Sequence, residues 1–404
     1  MKILSADYIL SFDEDLSIKE NCAIVFDKKI ISVASLDEVK KLYHDTKIEY
    51  MGKNSVIMPG LINSHIHLEY LANTTTLEYG EFVRWLRSVV KYREELVSRC
   101  SDELIENELN NLLSYGTTTI GAISSFGADI EACKNSKINV ILFNEVLGSN
   151  PATVDMIYQD FLQRYNITKS LKDERFFPAI SVHSPYSTHP IVAKKAIELA
   201  YHDRVKVQTH FLESKAEREW LDSASGEFKE FLSSFVPNPK PNSSAMEFLK
   251  LFDDVDTMFV HATYANDAEI EYINKKDNFI ISCPVSNRLL ENKKLDIKKV
   301  NNLCIATDGL TSNISINLWD ELRFSLFVHE NIDIDELSKL LLKAVTKDAG
   351  RALGLKKGVL KEGYDSDLIV TKVADDFDNL QSIYKWLILH TKKAEKTFVM
   401  GEEV

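Results

Sequence analysis

The sequence predicts an α/β fold: a (β/α)8 barrel of the TIM type with a small β-sandwich domain built from both chain ends. Three observations predict it. Eight short apolar runs alternate with helix-patterned stretches over about 300 residues, within the length such a barrel takes. Both chain ends read as strands separated by turns, unlike the middle. No Gly-rich phosphate turn follows the first run, which disfavours an open doubly wound sheet.

Taken in order, residues 5–12, 23–26 and 30–34 read as opening strands. The eight barrel runs are 56–62, 117–123, 140–143, 177–182, 205–209, 257–260, 279–282 and 303–306. Helical periodicity falls between them at 82–96, 102–113, 191–200, 245–251 and 268–273. The segment 225–244, with Pro237, Pro239 and Pro241, reads either as a substrate lid or as a surface insertion. The closing stretch from Gly358 through Thr371 is a turn followed by a strand, and 396–399 adds another. The expected division is a composite β domain from 1–55 plus 357–404 and a barrel from 56–356.

Composition narrows the function classes. The 404 residues are 45% hydrophobic and 27% charged, as in ordinary globular chains. Lys and Arg number 48 against 61 Asp and Glu, a net charge of −13. Such a surface repels phosphate backbones, so no nucleic-acid partner is expected. No apolar run reaches the roughly 18–20 residues that cross a bilayer, so no membrane partner is expected either. The N-terminal Met1-Lys-Ile-Leu-Ser-Ala-Asp-Tyr lacks the features of a secretory leader. Five scattered cysteines without a CxxC read as reduced thiols, so the expected location is cytoplasmic.

The histidines carry the chemistry. His65, His67, His183, His210 and His261 each fall at or just beyond the C-terminal end of a run, the barrel face on which active sites are built. In Asn63-Ser-His65-Ile-His67, residues two apart on a strand face the same side. Neutral imidazoles suit a divalent transition metal. By the same alternation His210 points into the barrel, with Glu213 following as the strand turns away. Asp308 ends the eighth run and adds a hard oxygen donor beside Gly309, expected to permit a tight turn. The fourth run ends in His183 instead of a lysine that could bridge two ions, so one metal is expected. The conjunction points to a mononuclear metal hydrolase. Cys283-Pro284 lacks the second cysteine of the cytidine-type zinc deaminases.

The ordered set His65-x-His67, His210, Glu213, His261 and Asp308 resembles the deaminase branch of the amidohydrolase superfamily. Several stretches are similar to the 6-amino-6-deoxyfutalosine deaminases of menaquinone biosynthesis. They are Glu78-Tyr-Gly-Glu-Phe-Val-Arg-Trp-Leu, His183-Ser-Pro-Tyr-Ser, His210-Phe-Leu-Glu-Ser, Cys283-Pro-Val-Ser-Asn-Arg-Leu-Leu and Thr307-Asp-Gly-Leu-Thr-Ser-Asn-Ile-Ser.

The resemblance implies one divalent ion, zinc before iron or manganese, on His65, His67, His210 and Asp308. It implies a water adding to C6 of an aminopurine, with Glu213 protonating N1, Asp308 moving the water proton and His261 orienting the nucleophile. It also implies a small nucleoside as the binding partner, with His183 and Glu145 on the ribose and Glu94 as a further ribose ligand. Arg288 or Arg84 is expected on a substrate carboxylate. A homodimer is compatible with the same reading. Competing expectations are a methylthioadenosine or S-adenosylhomocysteine deaminase, another aminopurine or chlorinated-ring hydrolase, or a barrel that has lost catalysis.

Overall fold

The computed structural model describes every residue except Asp15, Val236 and Asp378. Lys2–Leu10 (β1), Ile18–Phe26 (β2) and Ile30–Ser35 (β3) pair antiparallel in sequence order, and Glu49–Tyr50 (β4) and Ser55–Pro59 (β5) run parallel to β1. Strand periodicity puts Leu4, Ala6, Ile24 and Phe26 on one face and Ile3, Ala23 and Val25 on the other. Both faces are covered, the second by Val39 of the helix Leu36–Leu42.

The barrel strands follow: Leu61–His67 (β6), Thr117–Ser124 (β7), Asn139–Val146 (β8), Phe176–Val182 (β9), Val207–Phe211 (β10), Thr257–His261 (β11), Phe279–Ser282 (β12) and Leu303–Ile305 (β13). Each pairs in parallel with the next. Strands buried on both faces read as continuous apolar runs, which is why all eight stand out in the sequence. The seam between β13 and β6 closes through different bonds. Asn63 Nδ2 donates to Thr307 Oγ1 (2.7 Å), Thr307 N–H to Asn63 Oδ1 (3.2 Å) and Asp308 N–H to the His65 carbonyl (3.1 Å). These bonds place the first and last strands' functional ends side by side.

Leu368–Lys372 (β14), Lys396–Val399 (β15) and Glu402–Glu403 (β16) complete the small domain, with β14 antiparallel to β5. The single run expected at 56–62 is therefore two strands. Gly60 separates them, because any Cβ there would lie 2.2 Å from the Thr118 hydroxyl. The small sheet takes Ser55–Pro59, and the barrel begins at Leu61.

The proline-containing segment starts with the helix Glu227–Ser233, and Ala245–Leu249 follows it behind a Ser244–Glu247 capping box. Phe228 docks the first of these between Tyr186 (ring centroids 4.5 Å) and Phe82 (6.1 Å). No helix among the described residues is long and apolar enough to cross a membrane.

Candidate active site

The C-terminal strand ends converge on one buried cluster. His65 and His67 project from β6 with ring centroids 4.9 Å apart, and His210 from β10 lies 5.0 Å from His65. Asp308 Oδ1 is 3.6 Å from His65 Nε2 and 3.5 Å from His67 Nε2. His261 Nε2 faces Glu213 Oε1 at 3.6 Å and Asp308 Oδ2 at 3.9 Å. Reaching this geometry takes an unusual backbone: Leu212, His261 and Asp308 have φ of 46°, 70° and 60°. Left-handed conformations at such residues cost about 1–3 kcal/mol each and persist only where the surroundings enforce them. The expected role of Gly309 changes accordingly. Asp308 itself makes the left-handed turn, and Gly309 is needed because a Cβ there would meet the His67 Cβ at 2.8 Å.

Three imidazoles share one bonding pattern. His65 Nδ1 contacts Gln208 Oε1 (2.9 Å), His210 Nδ1 the His183 carbonyl (3.0 Å) and His261 Nδ1 Asn287 Oδ1 (3.0 Å). A carbonyl oxygen accepts only, so each Nδ1 carries the proton and each Nε2 keeps its lone pair. Gln208 is itself oriented, since its Nε2 donates to the Ser64 carbonyl at 2.7 Å. His65 Nε2 and His261 Nε2 are buried without a hydrogen-bond partner among the described residues. Orphaned ring nitrogens directed at a carboxylate fit a divalent cation, and outer carbonyls that fix the tautomer are the usual support of such ligands. Donor atoms of His65, His67 and His210 lie within 4.8 Å of one another, as do those of His65, His261 and Asp308.

Charge states follow from burial and neighbours. Burial pushes His67 and His261 down to about 4 and His210 well below its usual value, so all three are neutral near pH 7. Burial alone would raise Asp308. Contact with His65 and the charges of His67, His65 and His261 outweigh it and hold the carboxyl well below the usual range. Ser286 and Ser312 hydroxyls donate to Asp308 Oδ2 at 2.9 and 3.0 Å, and the Gly309 N–H to Oδ1 at 2.9 Å. Glu213 goes the other way: burial, then the Asp308 and Glu217 carboxylates, lift it well above an ordinary glutamate. One site thus holds two carboxyl groups pushed in opposite directions, an aspartate that releases its proton readily and a glutamate that holds its proton more tightly, the contrast that acid–base catalysis uses.

The cluster forms the floor of a cavity of about 370 Å³. His183 and Glu145 line it, as do Glu213, His261 and Asp308. Glu145 accepts from the hydroxyls of Ser125 (2.6 Å) and Ser181 (3.2 Å). Three expected contacts do not reach it. Glu94 and Arg288 are exposed and outside the lining, and Arg84 is engaged by Glu78. In the helix Phe82–Arg99 the inward stripe is Trp85, Leu86, Val89, Val90 and Arg93, so Glu94 lies about 100° further round than Arg93. Arg288 is on the outward side of the short helix Pro284–Leu289, whose buried side presents Ser286 and Asn287. Residues that went unread were Gln208, Asn287, Ser286, Ser312 and Arg93. Gln208 had a sequence signal, two residues before His210 on the same strand face, and Ser286, Asn287 and Ser312 lie inside two of the stretches that carry the resemblance, without a role of their own being legible there.

The amidohydrolase family model matches residues 56–404. The chain is 42% identical over 389 residues to aminodeoxyfutalosine deaminase from a Nitratiruptor species, covering 96% of each. It is 32% identical to an adenosine deaminase from Helicobacter pylori, covering 100% of this chain and 99% of the relative. The crystal structure of Helicobacter pylori aminofutalosine deaminase in complex with methylthio-coformycin superposes with a TM-score of 0.96 at 32% identity, over 100% of both chains. A metal-dependent hydrolytic barrel, matched along nearly its whole length and carrying the imidazole–carboxylate cluster that such hydrolysis needs, places this chain in the amidohydrolase family.

Proposed function

We propose that the chain removes the 6-amino group of aminodeoxyfutalosine by hydrolysis, giving futalosine and ammonia. The observation that carries this reading is the 42% identity, over 96% of both chains, to the Nitratiruptor enzyme of that name. The activity belongs to menaquinone biosynthesis.

The site supports the reaction. His65, His67, His210 and Asp308 are borderline and hard donors that suit zinc, with iron or manganese compatible. A bound divalent ion supplies Lewis acidity, which lowers the pKa of water in the site. Glu213, whose buried setting favours its protonated form, delivers a proton to N1 of the purine and draws electron density from C6 as water adds there. Asp308 accepts the proton of that water at its carboxylate and passes it to the leaving amine. His261, its Nδ1 anchored on Asn287, presents Nε2 to the adding oxygen and fixes its direction of approach. The C6–N bond breaks as ammonia leaves with the proton from Asp308, and the hydroxyl left on C6 returns its proton to Glu213 as the C6=O bond forms, so both carboxyl groups end as they began. His183 and Glu145, further along the cavity, hold the ribose.

A second reading has its own observation. The matched Helicobacter pylori enzyme was crystallised with methylthio-coformycin, a thioether nucleoside, which favours methylthioadenosine. Ammonia release from aminodeoxyfutalosine, methylthioadenosine, S-adenosylhomocysteine, adenosine and guanine separates the two. The expected result is a kcat/KM for aminodeoxyfutalosine at least about tenfold above the others, equivalent to about 1.4 kcal/mol of transition-state discrimination. Preference for methylthioadenosine would keep the chemistry and move the substrate.

A further inference from the structure

Beyond the imidazole floor the cavity changes character. One wall is the inward stripe of the helix Phe82–Arg99, where Trp85 is pinned by its indole N–H to the Thr311 carbonyl at 2.9 Å. Beside it the lining continues with Phe231, from the helix Glu227–Ser233 that packs on the first, and with Phe235. Large apolar side chains stand open at this mouth: Phe235 is 58% exposed and Phe126 45%. Exposed aromatics on both sides of a slot leave apolar surface to be covered by a flat, apolar guest.

The stripe ends in a cation. Arg93 lines the cavity, is solvent-exposed, and makes no ion pair or hydrogen bond among the described residues. Its neighbours on the helix are engaged: Arg84 with Glu78, Arg99 with Glu95, and Arg87 over the Phe231 ring at 5.4 Å. In a chain with 13 more acidic than basic residues, a guanidinium left unpaired at a cavity rim lacks its anion. The reacting end of the guest is committed to the imidazole floor, so an anionic group at its other end meets the rim of the cavity, where Arg93 stands.

We propose that Arg93 is the specificity-determining residue of this enzyme: it pairs with a carboxylate borne on an aromatic ring at the distal end of the nucleoside, while Trp85 and Phe231 clasp the ring. This rests on the reading of the substrate given above. A guanidinium matches a carboxylate with two parallel N–H donors, and an aryl ring supplies the flat apolar body.

The test compares kcat/KM for aminodeoxyfutalosine and for its neutral carboxamide analogue, using zinc-loaded wild type, Arg93→Gln, Arg93→Lys and Lys91→Gln. Lys91 is on the same helix, outside the cavity. Arg93→Gln is expected to lower the acid-to-amide ratio roughly 10- to 100-fold, through KM, as loss of a charge-assisted pair does. Arg93→Lys retains part of the ratio and Lys91→Gln all of it. In wild type the KM for the acid rises with salt, and Arg93→Gln removes that slope. An unchanged ratio in Arg93→Gln, with wild type active on the acid, overturns the role of Arg93 and leaves the substrate standing. A wild type that does not deaminate the acid overturns the substrate reading and this proposal with it.

Discussion

Glu213 shows how much one residue's surroundings decide. On an exposed helix its carboxyl would be ionised at neutral pH and useless as an acid. Here burial and two neighbouring carboxyl groups favour its protonated form, while its backbone N–H donates to Glu217 at 2.8 Å and its carbonyl accepts from Thr263 at 2.6 Å. Those bonds fix the side chain without touching its carboxyl oxygens. Glu213→Gln keeps the shape and removes the transferable proton. It is expected to lower kcat by at least about 10²-fold, the lower end for general acid–base groups, with zinc content by atomic absorption unchanged. Near-wild-type turnover would remove Glu213 from the proton path. At this scale the sequence was legible where chemistry demands a rare residue at a strand end: His65, His67, His210, His261, Asp308 and Glu213 all stand around one point. It was illegible where an ordinary amide or hydroxyl does the orienting, because Asn287 or Ser286 looks like any other polar residue until the fold brings it 3 Å from a functional group. Arg93 and Glu94 illustrate the finest limit. One position round a helix separates a cavity residue from an exposed one, and periodicity gives the stripe without its phase on the barrel.

Elements transmit that geometry. The helix Leu318–Val328 lies downstream of the Asp308 turn and supplies Glu321, whose carboxyl group accepts from the Val285 N–H (2.9 Å) and Asn313 Nδ2 (2.9 Å) and so ties the segments that follow β12 and β13 together. Its C-cap is His329, 3% exposed, with Nε2 buried and unpartnered among the described residues. Burial, with a smaller push from Lys294, moves this imidazole down to about 4. The sign of the pH effect follows. A pKa lower in the folded chain than the unfolded 6.5 contributes stability that is present above 6.5 and lost as pH falls towards 4. The full difference is on the order of 3 kcal/mol. His329→Leu is expected to flatten the decline of the urea midpoint between pH 6.5 and 4 by one proton's worth of slope, with turnover at pH 7.5 retained. An unchanged slope would mean that His329 charges freely in the folded protein. Element boundaries, by contrast, were blurred in the sequence where two strands abut. Residues 56–62 are apolar on both sides of Pro59-Gly60, and that dipeptide is the one mark of the change of sheet, a breaker that an unbroken strand assignment passes over; the approach of Thr118 shows why a glycine stands there.

At the scale of the molecule, the question is what holds a sheet built from both chain ends against a barrel made from the middle. The answer centres on Lys357, 2% exposed, whose Nζ reaches Asp367 at 2.6 Å and Asp365 at 3.0 Å. Asp367 is shared by both domains: Asn139 of β8 donates to its Oδ2 (2.8 Å), Met400 N–H to its Oδ1 (2.7 Å) and Gly60 N–H to its carbonyl (3.0 Å). The barrel's first strand therefore begins one residue after a contact with the segment that leads into the small sheet. A buried pair of this kind gains little over a well-packed apolar substitute, but losing one partner strands the other's charge, at roughly 3–5 kcal/mol. Lys357→Met leaves Asp367 buried without its cation. It is expected to lower the free energy of unfolding in guanidinium by that amount while kcat per folded molecule at pH 7.5 stays near wild type, since Lys357 does not line the cavity. Replacing both Lys357 and Asp367 with apolar residues should then recover part of the loss, because Asp367 is no longer stranded and Asp365 keeps Lys29 as its cation. A double variant as unstable as the sum of the two singles would show that the charges stabilise the junction independently. Partial recovery would identify the pair as one coupled unit that seats the small domain and sets where the barrel begins.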